Sequence, residues 1–205
     1  MANIIFDFDG TIADTFAVVL GIFHELTHRK EPLTPEEIER LRGMSLARAA
    51  EDLHVRPWQM PFLLMRGRRR MTGKMDSIHI FPGLQKAVRE LHAEGHELYI
   101  MSSNSARNIQ IFLLHHEMNK EFIKIYGNVG LFDKAGVLRR IMRRNRLKRS
   151  ETFYVGDEVR DIEAAHRAGV NVVAVTWGYN NAQVLQKHQP DTAISDAADL
   201  PRAFQ

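Results

Sequence analysis

Residues 3–11 read NIIFDFDGT, and the class of fold follows from this segment. Its apolar part, residues 3–8, is typical of a buried strand, and the Asp9-Gly10 pair that follows indicates a tight loop. Because alternate side chains of a strand point the same way, Asp7 and Asp9 can face one site. Open parallel sheets bind ligands at the carboxyl ends of their strands, where Gly10 lets the backbone approach closely. The segment therefore has two interpretations. It provides two functional carboxylates at the end of a strand, or it is simply a strand followed by an Asp-Gly turn.

Similar apolar runs recur along the chain and alternate with helical patterns. Such alternation predicts an α/β fold with three layers, in which helices cover both faces of a parallel sheet. A final short strand and helix are expected in residues 191–205. The other predicted strands are Glu97–Met101, Phe122–Tyr126, Thr152–Val155 and Val172–Val175.

One long segment breaks the alternation, because residues 15–79 contain no convincing strand. An apolar stripe at Phe16, Val19, Leu20 and Phe23 predicts a first helix in this segment. Further short helices are predicted at residues 35–41, 45–53 and 57–70. We therefore expect two domains, a core of residues 1–14 and 80–205 and an all-helical insertion of residues 15–79.

Composition limits the classes of function. The 205-residue chain has 28 basic and 25 acidic residues, a formal charge of +3, which is too small to mark a dedicated nucleic-acid or membrane binder. The absence of cysteine excludes disulfides, thiol nucleophiles and cysteine-based zinc sites. No apolar run is long enough to span a membrane, so a soluble, cytoplasmic protein is expected. Basic clusters at 66–74 and 139–149 lack interleaved aromatic residues, and the second is interpreted as a solvated helix face.

Polar side chains also follow the later strands. Residues 101–105 read MSSNS before a helix, where hydroxyls and free N–H groups form either an anion pocket or a simple N-cap. Lys134 is predicted to be at the N-terminus of a helix, where the helix dipole disfavours a positive charge. A lysine at this position indicates a nearby anion or is simply exposed to solvent. Asp157 and Asp161 follow the fourth strand. So many converging carboxylates favour Mg²⁺, which prefers oxygen ligands.

With these motifs in order, the chain resembles the haloacid dehalogenase-like phosphohydrolases with a helical cap, in the branch that includes phosphoglycolate phosphatases. This resemblance implies a Rossmann-like core. The nucleophile motif D-x-D-G-T is matched by residues 7–11, and the hydroxyl motif by Ser103, with Ser102 as a second candidate. Lys134 matches the lysine motif, although Ala135 stands where this branch often has proline. Residues 156–161 match the acidic motif G-D-x-x-x-D.

The resemblance implies a role for each matched residue. Asp7 would attack phosphorus and form an aspartyl-phosphate, and Asp9 would act as general acid and then as general base. Mg²⁺ would be held by Asp7, the Asp9 backbone carbonyl and Asp157, while Asp161 would orient a metal-bound water or the lysine. The phosphoryl oxygens would be held by Gly10, Thr11, Ser103, Asn104 and Lys134.

The implied activity is that of a Mg²⁺-dependent phosphomonoesterase that acts on a small, phosphoglycolate-like phosphorylated metabolite. Asp9 argues against dehalogenase chemistry, which lacks the second aspartate in this family. In residues 42–45, which resemble a substrate-specificity loop, Arg42 would either pair with a second anionic group or merely flank its helix. No nucleic-acid or membrane partner is expected, and the oligomeric state is left as monomer or homodimer.

Other functions remain as alternatives. A sugar-phosphate mutase or a pyrophosphatase of the same superfamily is the main one, although Val19 occupies the position at which the mutases carry histidine. Residues 24–28 read HELTH, the zinc-hydrolase pattern H-E-x-x-H, but no third protein ligand is evident. A phosphoacceptor receiver domain shares the carboxylates, hydroxyl and lysine, but has no long helical insertion.

Overall fold

The computed structural model describes residues 1–27, 31–130 and 133–204. Six parallel strands form one sheet in the order β3-β2-β1-β4-β5-β6. The strands are β1 (Asn3–Phe6), β2 (Glu97–Met101), β3 (Phe122–Tyr126), β4 (Thr152–Gly156), β5 (Asn171–Val175) and β6 (Thr192–Ile194). Strand β1 lies in the interior of the sheet, with β2 and β3 on one side and β4, β5 and β6 on the other. The direction in which strands are added therefore changes between β1 and β4.

Helices cover both faces of this sheet. The α-helices of the described chain are α1 (Phe16–Thr27), α2 (Pro35–Arg42), α3 (Leu46–Asp52), α4 (Met60–Thr72), α5 (Leu84–Ala93), α6 (Ala106–His115), α7 (Lys134–Asn145), α8 (Val159–Ala168) and α9 (Ala182–Lys187). Alternate residues of β1 enter two separate cores, with Ile4 among residues of α5 and α6, and Ile5 among residues of α7, α8 and α9. The predicted three-layer α/β/α fold is therefore confirmed.

The first strand ends two residues earlier than predicted. The carbonyl oxygen of Phe8 accepts hydrogen bonds from the backbone N–H groups of Thr11, Ile12 and Ala13, so Phe8 lies in a tight turn and not in the strand. Asp7 still donates its backbone N–H to the carbonyl of Val155 at 2.8 Å, which keeps it aligned with the neighbouring strand. The predicted strand 3–8 is thus wrong at its end, because the turn begins before the Asp-Gly pair.

Between β1 and β2, the described residues form helices and no strand. Helix α2 begins with a capping box, in which Thr34 and Glu37 satisfy each other's backbone N–H groups. Helices α1 and α4 pack together, and Ile22 and Met71 from them join the core on the α5 side of the sheet. The division into a core and a cap at residues 15 and 79 stays a prediction.

None of the helices in the described ranges is long and apolar enough to cross a membrane.

Candidate active site

Asp7 and Asp9 lie at the carboxyl end of β1, as the sequence predicts for a functional pair. Asp7 is 2% exposed, and its carboxylate accepts hydrogen bonds from the backbone N–H of Phe8 at 2.8 Å and from Nζ of Lys134 at 2.6 Å. Asp9 lines a cavity above the strand end. One carboxylate is therefore fixed by a lysine, while the other faces the space in which a ligand would bind.

Gly10 makes the close approach of neighbouring loops possible. Its φ of +82° lies in the left-handed region, which side chains rarely adopt. A Cβ atom here would lie 2.3 Å from Oδ2 of Asp157 and 2.6 Å from the ring of Tyr179. The turn can therefore bring the Asp157 carboxylate against β1 only with glycine at this position.

Lys134 is the first residue of α7 and its side chain is buried. Its Nζ donates to Oδ2 of Asp7 at 2.6 Å and to Oδ1 of Asp161 at 2.5 Å. Burial lowers the pKa of Lys134, and nearby Arg160 does so too, but Asp161, Asp7 and Glu158 outweigh both and raise it above its ordinary value. Lys134 is therefore a permanently charged cation that joins the ends of β1 and β4.

We expect Lys134→Met to lower the free energy of unfolding by about 3–5 kcal/mol at pH 7, because it leaves two buried carboxylates without their cation. Since the lysine lowers the pKa of Asp7, its loss raises that pKa further, so folding then takes up protons and the loss of stability should be larger at pH 8 than at pH 5. Urea unfolding at both pH values measures this.

The exposed pair of Lys148 and Glu151 provides the control, because the two side chains are 72% and 47% exposed. Lys148→Met should change the free energy of unfolding far less than Lys134→Met, because solvent screens the exposed pair. Equal, small losses in both variants would show that the buried lysine does not stabilise the strand ends.

Burial has the largest effect on the pKa values of Asp7, Asp9 and Asp157. It raises the pKa of Asp7 to about 7, against the lowering effect of Lys134, and it raises the pKa of Asp9, against hydrogen bonds from Asn104 and Thr15. Burial raises the pKa of Asp157 well above its ordinary value. Such carboxylates are protonated more readily than exposed ones, and a bound cation would favour their ionised form.

The Asp157 carboxylate is held by two donors. Its Oδ1 accepts from the Thr11 hydroxyl at 2.6 Å, and its Oδ2 accepts from the backbone N–H of Tyr179 at 2.7 Å. The Thr11 hydroxyl therefore contacts this carboxylate, and the predicted contact of Thr11 with phosphate stays a prediction. Asp157 is fixed between the β1 turn and the loop after β5.

Carboxylate oxygens of Asp7, Glu158 and Asp161 lie within 4.8 Å of one another, a donor set that fits a hard divalent cation. Sequence reasoning singled out two of these residues and missed Glu158, although it follows Asp157 directly in the acidic motif. The predicted set of Asp7, the Asp9 carbonyl and Asp157 shares only Asp7 with this cluster. Which oxygens would hold Mg²⁺ stays a prediction.

The loop after β2 separates the two serine candidates. Ser102 is fully buried, and its hydroxyl donates to Asp9 at 3.4 Å, whereas Ser103 lines the cavity. Asn104 also contacts Asp9, through its Nδ2 at 3.0 Å, and its backbone N–H donates to the Ser102 hydroxyl. Ser102 and Asn104 therefore orient Asp9, and the predicted contacts of Ser103 and Asn104 with phosphate stay predictions.

A partly buried arginine that the sequence did not single out, Arg160, also lines the cavity. Its Nη2 donates to Glu158, but its Nε and Nη1 have no hydrogen-bond partner. Burial lowers the pKa of Arg160, but Glu158, Asp161 and Asp7 outweigh it and raise the pKa, which keeps the side chain charged. The cavity therefore contains unsatisfied donors close to the nucleophile candidate, which suits an anionic ligand.

The loop after β5 joins the helical segment to this site. Asn180 donates its Nδ2 to the carbonyl oxygens of Arg42 at 3.0 Å and Met44 at 2.7 Å, and its Oδ1 accepts from the backbone N–H of Val159 at 2.9 Å. The Arg42 guanidinium donates to the carbonyl of Gly178 at 2.8 Å. Arg42, the predicted substrate contact, thus lines the cavity and also ties two loops together.

The family model of the haloacid dehalogenase-like hydrolases matches residues 4–175, which include every residue of this site except the loop around Asn180. The chain belongs to the haloacid dehalogenase-like hydrolase family.

Curated relatives of this haloacid dehalogenase-like hydrolase are named as phosphatases. A phosphoglycolate phosphatase of Synechococcus elongatus is 33% identical over 205 residues, covering 99% of this chain and 97% of the relative. A 5'-nucleotidase of Pseudomonas aeruginosa is 26% identical, covering 99% of this chain and 95% of the relative. The chain is a phosphatase, similar to phosphoglycolate phosphatases.

Solved structures confirm the fold of this hydrolase over its full length. A haloacid dehalogenase-like family hydrolase from Streptococcus pneumoniae superposes with a TM-score of 0.81 at 22% identity, covering 100% of this chain and 99% of that one. A predicted phosphoglycolate phosphatase from Haemophilus somnus gives a TM-score of 0.77 at 20% identity, covering 100% and 98%.

Two alternatives from the sequence concern helix α1 of this hydrolase. In the HELTH pattern, Glu25 accepts a hydrogen bond from Arg70 at 2.7 Å, and His28 lies outside the described residues. The zinc alternative therefore stays untested. Val19, at the position of the mutase histidine, lines the cavity.

Proposed function

We propose that the chain is a Mg²⁺-dependent phosphomonoesterase that hydrolyses a small phosphorylated metabolite through an aspartyl-phosphate on Asp7. The observation that carries this proposal is the pairing of Asp7, fixed by Lys134 at 2.6 Å, with Asp9 at the edge of the cavity. Phosphoryl transfer in two steps needs a nucleophile and an acid–base group close together. Asp7 and Asp9, two residues apart at one strand end, provide this pair.

In the first step, an oxygen of Asp7 attacks phosphorus, and the bond from phosphorus to the ester oxygen breaks. Asp9 gives its proton to the departing alcohol, a role that its raised pKa favours. In the second step, a water molecule attacks the aspartyl-phosphate while Asp9 takes up its proton. Phosphate is released, and Asp7 and Asp9 return to their starting states.

Lys134 and Ser103 are the groups of this chain that would hold the phosphoryl oxygens. Lys134 also favours the ionised form of Asp7, because its charge lowers the pKa of that carboxyl and so opposes part of the increase that burial causes. Mg²⁺, held by Asp7, the Asp9 carbonyl and Asp157 with Glu158 nearby, would neutralise the charge on the transferring group. The site contains more buried carboxylates than basic side chains, which supports the binding of a divalent cation there.

The phosphoglycolate phosphatase relative supports a small phosphorylated acid as the substrate. Mutase chemistry is the alternative, since a putative β-phosphoglucomutase from Thermotoga maritima shares the fold with a TM-score of 0.70 at 16% identity. Val19 argues against it, because an apolar side chain cannot act as an acid or base. A panel of phosphorylated metabolites assayed for phosphate release with Mg²⁺ tests the proposed function.

Turnover should require Mg²⁺, with Mn²⁺ or Co²⁺ as substitutes, and Ca²⁺ should inhibit. Calcium takes more ligands at longer distances and would spoil the alignment of Asp7 with phosphorus. Phosphate release is measured after removal of metal with a chelator and again after Mg²⁺ is restored. Full activity in excess chelator would contradict the metal assignment.

A further inference from the structure

The cavity above Asp9 is larger than a phosphoglycolate-type substrate needs. Its volume is about 290 Å³, which is room for several water molecules. Asp9 and Ser103 lie in its wall, and the rest of the wall comes largely from the helices between β1 and β2. The phosphoryl group would bind against Asp7, so the cavity receives the alcohol part of the ester. In phosphoglycolate, that part is only one methylene and a carboxylate.

Most of the cavity wall is apolar. Helix α1 contributes Val19 and Leu20, and helix α4 contributes Met60 and Leu63, whose side chains carry no hydrogen-bond donor. A carboxylate or sugar hydroxyl placed against these side chains would lose hydrogen bonds to water without replacement. An alkyl chain or ring would instead be stabilised by about 25 cal/mol for each Å² removed from water.

Besides Arg160, whose unsatisfied donors lie close to Asp7, Arg68 in the same wall is available for an anion. The Arg68 guanidinium forms no hydrogen bond or ion pair with any residue in the described ranges, and its buried Nε has no partner. Arg42 differs, since its Nη2 already donates to Gly178 and its guanidinium lies 5.5 Å from the centre of the Phe16 ring. Arg68 also lies close enough to Asp9 for the two charges to interact. A carboxylate near the ester oxygen would therefore meet Arg68.

Building on the phosphatase function proposed above, we propose that the substrate is the phosphate monoester of a hydroxy acid with an apolar chain or ring. The carboxylate pairs with Arg68, the ester oxygen faces Asp9, and the chain lies among Leu20, Phe23 and Leu63. Phosphoglycolate is the shortest member of this class and leaves most of the apolar wall uncovered.

A graded series of esters tests the substrate class. The probes are phosphoglycolate, 2-phospholactate, the 2-phosphate ester of 2-hydroxyhexanoic acid, and hexyl phosphate, which has no carboxylate. Each buried methylene should raise kcat/KM about fourfold, so the hydroxyhexanoate ester should exceed phosphoglycolate by at least about tenfold. Hexyl phosphate should be about tenfold poorer or worse than the hydroxyhexanoate ester, because it cannot pair with the arginine.

Gly67 allows the cavity to be filled without strain. It lies in α4 at the cavity wall, and an added Cβ would meet only Ile22, at 3.8 Å. Gly67→Leu should lower the ratio of kcat/KM for the hydroxyhexanoate ester to that for phosphoglycolate by about tenfold. Gly21→Leu is the matched control, since this exposed glycine of α1 has no atom within 4 Å of an added Cβ and the ratio should not change. Arg68→Met should lower the ratio of the hydroxyhexanoate ester to hexyl phosphate.

The outcomes separate this inference from the proposed function. Failure to hydrolyse every ester, p-nitrophenyl phosphate included, would overturn the phosphatase mechanism itself. Hydrolysis without preference for the longer acid, or a preference that Gly67→Leu and Gly21→Leu leave equally intact, would overturn only the substrate class. Loss of the preference in Gly67→Leu alone supports the placement of the chain in the cavity.

Discussion

Asp7→Asn should lower turnover by at least about a thousandfold on every phosphate ester, because the amide cannot form the covalent intermediate. Asparagine has the shape of aspartate and can still contact Lys134, so the fold should persist. Initial rates at saturating substrate with Mg²⁺ measure the effect, and thermal unfolding shows whether the variant is folded.

Asp76→Asn makes the same chemical change at an exposed carboxylate after α4 and should leave turnover unaltered. If Asp7→Asn retained more than a few per cent of the activity while remaining folded, Asp7 could not be the nucleophile. Attack by water directly on phosphorus would then replace the two-step mechanism.

Asp9→Asn should slow hydrolysis of alkyl phosphates by about 10²–10⁴-fold, the usual contribution of a general acid or base. With p-nitrophenyl phosphate, the leaving group needs no proton, so the first step should continue while the second slows. The phosphorylated protein should therefore accumulate. Acid quenching followed by intact-protein mass spectrometry detects the added phosphoryl group.

The double variant with Asp7→Asn and Asp9→Asn is the control, and it should show no added phosphoryl group. Equal losses of rate with both types of leaving group, and no phosphorylated protein, would mean that Asp9 positions other groups instead of transferring a proton. Ser102 and Asn104 hold Asp9 in place, so the asparagine should keep its position.

The sheet and the catalytic motifs could be predicted because they depend on local periodicity. Alternation within β1 places Ile4 and Ile5 in different cores. Asp7 and Asp9 follow this strand directly, so their position at its carboxyl end could also be predicted, although Phe8 between them lies in a turn. Glu158 and Arg160 could not be identified in this way. Their contribution to the site depends on the position of the first turn of α8 next to Asp7, which is about 150 residues away in the sequence.

The stripe of α1 shows a second limit of sequence reasoning. The spacing of Phe16, Val19, Leu20 and Phe23 predicts the apolar face of a helix, and all four side chains line the cavity. Periodicity identifies which face of a helix is apolar, but not whether protein atoms or a ligand will cover it. That outcome depends on how α1, α2, α3 and α4 are arranged around the cavity, which the spacing of apolar residues within one helix does not determine.

The loop after β5 gives the site a thermodynamic property that no single residue provides. Tyr179 binds the Asp157 carboxylate through its backbone N–H, and the next residue, Asn180, binds the carbonyls of Arg42 and Met44. A ligand that shifts the Arg42 loop therefore changes the energy of the Asp157 carboxylate, and a cation on Asp157 changes the energy of the loop. Because linkage is reciprocal, the factor by which Mg²⁺ tightens substrate binding through this loop equals the factor by which substrate tightens Mg²⁺ binding.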